Sequence, residues 1–424
     1  MINEKRTSSV SGERPPADSF TAASARPECG VLLACARAVL PSGERERLRA
    51  LLEQPLDWDW LLAMSERHGL LPLLFTHLKA EAADLVPASQ LETLRQRFQD
   101  NLSSSMRLTG VLHKVLSLFQ SHGVEAIPYK GPVLAQQFYL NLALRSFSDL
   151  DLLIRHRDVP AAARILLDAG FHPESGAAVP AADGSLGAAG QFAFVGENGA
   201  LVELHSERTL RHFPRPLDIE WLFAHPTTVS LAGRDVRTLA CDRLLLALAV
   251  HGAKDFWSQL KWICDIAELL RTASGLDSHL PNLSPLPWTA LWNDAHRFGC
   301  ERVLLLALRL AQDVLGTSIP AGAQSAGIDD PAVASLSAQV AARLFEAGVP
   351  RTFGAAPERF LFRVRMCSRT WDGLRYALRL TMTPAEEDRA LRLPPALAPI
   401  YSLLRPFRLL AKYGIARGRS SRSI

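Results

Sequence analysis

The stretch Glu125–Ile154, EAIPYKGPVLAQQFYLNLALRSFSDLDLLI, decides how the rest of the chain is read. Its end, with Leu150, Leu152, Leu153 and Ile154, predicts a buried strand over 148–154 that carries two carboxylates, Asp149 and Asp151. Alternation along a strand sends both carboxylates to one face and Leu150 and Leu152 to the other. Two close, buried carboxylates resist joint ionisation, so the pattern calls for a cation between them. Magnesium, which takes one or two carboxylates together with substrate phosphates, fits that demand. The beginning of the stretch predicts a second strand, 124–129, running into Lys130-Gly131-Pro132. Gly131 allows close approach of the backbone to a ligand, and Pro132 suits the first turn of a helix over 132–141 whose free N–H groups point at an anion. Lys130 adds a point charge for phosphate.

Working outward, Gln191–Val195 and Ala200–His205 read as a hairpin around Gly196-Glu197-Asn198-Gly199, a turn rich in residues that accept positive φ. On its second strand Leu201, Glu203 and His205 share a face. Set beside the strand of Asp149 and Asp151, Glu203 completes a three-carboxylate cluster; the residues alone leave a solvated sheet face equally open. A short strand pair is expected at 228–231 and 236–239, around Gly233. Further on, helices over 241–251 and 257–272 would align His251, Lys254, Ser258, Trp262 and Asp265 on one stripe if they formed a continuous helix. That stripe suits a second wall of the site as well as it suits a solvent face with a structural Asp265 salt bridge.

Together these residues resemble the nucleotidyltransferases of the polymerase-beta-like superfamily, and within it a bacterial group of uncharacterised nucleotidyltransferases. The resemblance is carried by Lys130-Gly131, Arg145, Asp149-Leu150-Asp151 and Glu203-Leu204-His205. It extends to His251…Trp257…Leu260-Lys261-Trp262…Asp265-Ile266-Ala267 and the late Arg405-Pro406-Phe407-Arg408-Leu409, from about Trp58 onward. The wider superfamily places a Gly-Ser turn nearer its acidic pair, whereas here residues 132–148 intervene. The resemblance implies Mg²⁺-dependent transfer of a nucleoside monophosphate from an NTP, ATP for preference, to a hydroxyl or phosphate acceptor. It implies catalysis and metal binding by Asp149, Asp151 and Glu203, with Lys130, Gly131, Arg145, Ser148 and His205 on the nucleotide side. Asp265 joins His205 as a candidate for orienting groups or deprotonating an acceptor hydroxyl. A non-catalytic nucleotide-binding regulator or scaffold on the same fold is the alternative, although a binder needs fewer carboxylates.

The expected fold is α+β: a small mixed-sheet nucleotidyltransferase core over 123–240, flanked by helical regions over 26–122 and 241–380, with a disordered tail over 1–25 and a basic segment over 381–424. The N-terminal helices include a long one over 88–122, and helices are expected at 157–169, 288–297, 300–315, 331–347 and 357–380. Residues 175–190 read as a surface loop. The 424 residues comfortably support a large core, with 48% apolar and 21% charged residues. A net charge of +4 does not argue for a nucleic-acid substrate. Six cysteines without metal-ligand spacing, a polar N-terminus without an apolar block and no membrane-length apolar run point to reduced thiols and a cytoplasmic protein. The basic residues of 391–419 suit an anionic membrane surface or an acidic partner. Prolines 394, 395, 399 and 406 favour docking of its apolar side onto the body instead.

Overall fold

The computed structural model describes residues 26–175, 190–206, 217–273, 285–324, 327–346 and 356–382. The expected N-terminal tail, nearly all of the 175–190 loop and the basic segment from 383 onward lie outside the described residues.

Four helices lead the chain: α1 (Pro27–Cys35), α2 (Ser42–Leu52), α3 (Trp58–Arg67) and α4 (Leu71–Glu81). The 34-residue α5 (Ala88–Ser121) follows. It spans about 50 Å at 1.5 Å per residue. The next elements are β1 (Ala126–Pro128), α6 (Pro132–Tyr139), β2 (Asp149–Ile154), α7 (Val159–Asp168), β3 (His172–Pro173), β4 (Gln191–Val195) and β5 (Leu201–His205). After α8 (Ile219–Phe223), β6 (Thr227–Leu231) and β7 (Arg234–Thr238) form a separate antiparallel pair. The later described residues are helical: α9 (Cys241–Lys254), α10 (Leu260–Ala273), α11 (Trp288–Phe298), α12 (Glu301–Leu315), α13 (Ala321–Gln324), α14 (Pro331–Leu344), α15 (Ala356–Met366) and α16 (Thr370–Met382). The fold class is α+β, as expected.

The five-stranded sheet runs β1-β2-β5-β4-β3. Only β2 and β5 pair in parallel, with Asp151 opposite Glu203 and Leu153 opposite His205. The β4–β5 hairpin turns through Asn198 at φ 57° and Gly199 at φ 71°, the backbone its sequence suggested. Pleating gives β2 two buried surroundings. Leu150, Leu152 and Ile154 join Val202, Leu204, Phe192 and Phe194 in a core closed by Leu112 and Phe119 of α5 and Leu166 of α7. Leu153 points the other way, into a larger core built by the N-terminal and C-terminal helices together. The carboxylates of β2 therefore stand between two apolar bodies.

The helices expected at 241–251 and 257–272 are two separate ones, not the continuous helix that would align their stripe: α9 ends at Lys254, and Phe256 and Trp257 adopt φ of 59° and 53°, left-handed backbone that no helix continues through. The helix expected at 357–380 divides into α15 and α16 between Met366 and Thr370. All six cysteines are unpaired, and five are buried.

Candidate active site

Gly131 holds φ 57° and ψ −126° immediately before Pro132, which occupies the first turn of α6. A Cβ at Gly131 would lie 3.4 Å from the Asp149 carbonyl oxygen, so the turn and the acidic strand are in close apposition. Lys130, just before it, reaches across β2 and sets its Nζ 2.6 Å from Asp151 Oδ1, with both side chains almost fully buried. Burial works against both charges. The pair prevails: Lys130 and His205 hold the Asp151 carboxyl well below the carboxylate range, and Asp151 keeps Lys130 charged.

Three ligand atoms, one each from Asp151, Glu203 and His205, all lie within 4.8 Å of one another. The register explains the grouping. Asp151 and Glu203 face each other across adjacent strands, where the spacing is about 4.8 Å, whereas Asp149 sits two residues back along β2, about 6.5 Å away. Asp149 thus shares the face but stands outside the close group. Burial first, and then the Asp151 charge, push its carboxyl up.

His205 Nε2 lies 2.8 Å from Asp151 Oδ1 and 3.2 Å from Glu203 Oε2, between the two carboxylates, while its buried Nδ1 has no hydrogen-bond partner among the described residues. Burial disfavours the imidazolium, but the two carboxylates outweigh it and raise the His205 pKa. One nitrogen and two oxygens grouped this closely can ligate a divalent cation. The site is therefore compatible with metal, and its imidazole distinguishes it from the all-carboxylate set expected from sequence. Glu203 is further fixed by Gln191 Nε2 at 2.9 Å, and Gln191 Oε1 accepts from Lys254 Nζ at 3.4 Å.

A second wall comes from α9 and α10 despite the break between them. His251 Nδ1 is 3.4 Å from Lys130 Nζ, and its ring meets Trp262 edge-on at 5.3 Å. Burial and then the Lys130 charge hold His251 well below the ordinary imidazole range, so it accepts from Lys130 as a neutral ring. Asp265 is used differently. Arg145 grips it bidentately at 2.8 Å and 2.8 Å, and Tyr139 donates to it at 2.8 Å. Of the residues expected to meet phosphate, Arg145 is thus buried with its guanidinium engaged, Lys130 is paired to Asp151, and Ser148 is exposed.

The cation missed by sequence reasoning is Lys261, at the start of α10. No carboxylate lies within ion-pair distance of it among the described residues, and burial, then Arg145, pull its pKa down to about 8. Asp265 and Asp149 pull the other way, which places the ammonium in the field of the acidic strand. Its signal was the Lys261-x-x-x-Asp265 spacing, which sets both residues one helical turn apart on one face. A separate open cavity of about 550 Å³, lined by His113, Glu125, Arg234 and Arg237 among others, lies away from these groups.

A sequence profile of the family described as "Uncharacterised nucleotidyltransferase" matches residues 54–316. No curated protein matches. A crystal structure of an antigenic nucleotidyltransferase-like protein from Paracoccidioides brasiliensis aligns at 18% identity and a TM-score of 0.30, covering 52% of this chain and 97% of its own.

Proposed function

Because this chain belongs to the uncharacterised nucleotidyltransferase family, we propose that it transfers a nucleoside monophosphate from an NTP, with ATP the first to test, to a hydroxyl or phosphate acceptor, and that the polymerase-beta-like superfamily is its wider kin. The observation that carries this reading is the grouping of ligand atoms of Asp151, Glu203 and His205 within 4.8 Å of one another, on the strand pair whose Asp149 end adjoins the Gly131 turn. These three would hold a divalent ion, with Asp149 facing the same space as a further carboxylate. When bound, such an ion polarises phosphoryl oxygens and offsets charge on the attacking and leaving groups. Magnesium remains the proposed ion, although the imidazole donor also suits manganese.

The protein's own groups divide the remaining work. Lys130 neutralises Asp151 in a buried setting and is steadied by His251. The Gly131 turn and the start of α6 present backbone N–H groups to the phosphates. Lys261 and Lys254 supply positive charge that Arg145, committed to Asp265, does not. Arg145 instead fixes α10, and hence Lys261, against the core.

The test is incubation with each α-labelled NTP, a divalent salt and cell extract. A labelled product that disappears with Asp151→Asn is expected. Absence of label from every NTP with both Mg²⁺ and Mn²⁺, while the protein binds nucleotide calorimetrically, would transfer the site to the regulator reading.

A further inference from the structure

Between the two helices of the second wall the backbone takes a turn that bulky residues rarely adopt. Phe256 and Trp257, at φ of 59° and 53°, separate α9, which carries His251 and Lys254, from α10, which carries Lys261 and Asp265. Left-handed backbone at such residues is strained and persists only where the surroundings over-determine it. Trp257 is fixed by its own burial against Gly252. Phe256 is gripped by α15, from more than a hundred positions further along the chain.

Arg363 makes that grip. Its guanidinium lies over the Phe256 ring at 4.6 Å, and Nη2 donates at 3.0 Å to the carbonyl of Lys254. That carbonyl ends α9 and is one of the acceptors a helix terminus leaves without an intrahelical partner. Phe362, fully buried beside Arg363 in α15, meets the Phe256 ring at 5.7 Å. Arg363 is braced in turn by α16, its Nη1 donating to the Tyr376 hydroxyl at 3.4 Å. Arg302 of α12 anchors the far end of α15 by donating to the carbonyls of Arg365 and Cys367 at 2.8 Å and 2.7 Å.

From Lys254 a run of polar contacts leads to the candidate metal ligands. Lys254 Nζ donates to Gln191 Oε1 at 3.4 Å, and Gln191 Nε2 donates to Glu203 Oε2 at 2.9 Å. The same Glu203 oxygen lies 3.2 Å from His205 Nε2. We propose that Arg363 is a positioning residue of the active site. From α15 it fixes the Phe256 turn and the end of α9, and so holds Lys254, Gln191 and Glu203 in the arrangement that receives a divalent ion. The inference rests on the metal-binding reading of Asp151, Glu203 and His205. Without Arg363 the strained turn relaxes, Lys254 leaves Gln191, and Glu203 loses the partner that orients it.

The test is calorimetric titration of the full chain with Mn²⁺ in the absence of nucleotide, a readout independent of transfer. Arg363→Met should weaken Mn²⁺ binding about tenfold, the loss usual when a group that orients a ligating carboxylate is removed. Lys254→Met should lose a similar factor, and the double variant no more than either, because both act through one run of contacts. Arg363→Lys should recover part of the affinity. If circular dichroism shows Arg363→Met unfolded, Arg363→Lys takes its place in the cycle, with a smaller loss expected. A lower melting temperature with unchanged Mn²⁺ affinity makes Arg363 a structural residue and overturns the inference, as do losses that multiply in the double variant. A wild type that binds no Mn²⁺ removes the metal site and this inference with it, whereas a wild type that binds, with both variants unchanged, overturns this inference alone.

Discussion

Lys261 carries the sharpest expectation about a single side chain. Its stem packs where a Cβ on Gly69 would come within 2.6 Å of Lys261 Cδ, so the position has both a packing and a charge component. Lys261→Met keeps the stem and removes the ammonium. Loss of a charge-assisted contact to phosphate should raise the KM for NTP by roughly 10- to 100-fold, with the melting temperature unchanged. Lys261→Arg should recover part of it. An unaltered KM in the methionine variant removes Lys261 from the nucleotide site. Sequence disclosed this site unevenly, for a physical reason. Strand alternation shows that Asp149 and Asp151 share a face, and Glu203 and His205 another, but it does not say which strands touch. The parallel β2–β5 register makes Asp151, Glu203 and His205 the close set, leaving Asp149 one pleat away. Nor does local pattern reveal that Arg145 meets Asp265 across 120 positions.

Most helices and strands were legible from apolar spacing and turn residues, and their observed ends fall within a few residues of expectation. The gap between α9 and α10 was legible, with one helix expected to end near His251 and the next to begin at 257, but its backbone was not, since Phe256 and Trp257 are bulky residues that rarely take positive φ. Packing overrides that preference: Trp257 is fully buried against Gly252, where a Cβ would come within 2.5 Å of its ring. The start of α10 is then capped from a distance. His68, just past α3, accepts the Leu260 N–H on Nδ1 at 3.1 Å and the Lys261 N–H on its carbonyl at 3.1 Å. Burial, followed by Arg67, lowers the His68 pKa from 6.5 to about 4. The folded state therefore binds this proton less readily than the unfolded chain. The resulting stability is fully present above pH 6.5 and declines as pH falls from 6.5 towards 4, levelling below that. The contribution is at most about 3 kcal/mol. His68→Gln should be less stable than the wild type at pH 7.5, and the gap between the two should narrow by pH 4.5 in urea titrations. A gap independent of pH would show that His68 does not bind its proton differently in the folded state.

The N-terminal helices and the C-terminal helices, far apart in sequence, share a single apolar core: Leu32, Leu61 and Leu74 belong to the same cluster as Leu246, Leu304 and Leu336. The sheet has its own core on the far side of β2. Helix α5 joins them, since Leu94 lies in the first and Leu108, Leu112, Val115 and Phe119 lie in the second. The buried Arg145–Asp265 pair adds a second tie, from the segment before β2 to α10. Separating the two bodies would strip Leu153, Tyr129 and the site carboxylates of one wall and leave Arg145 buried without its partner. Such an unpaired charge costs about 3–5 kcal/mol, comparable with much of a domain's net stability. The helical layers and the sheet should therefore unfold together in urea. Tryptophan fluorescence serves as the probe of the helical core, where Trp58, Trp60, Trp257 and Trp292 reside, and the sheet is followed through a reporter attached at exposed Ser148 after its replacement by cysteine. The two midpoints should coincide, and Asp265→Ala should lower both by the same amount. Separated midpoints, with Asp265→Ala moving only one, would show that the sheet holds its carboxylates in place without the helical wall, and the site would then be assembled by β2 and β5 alone.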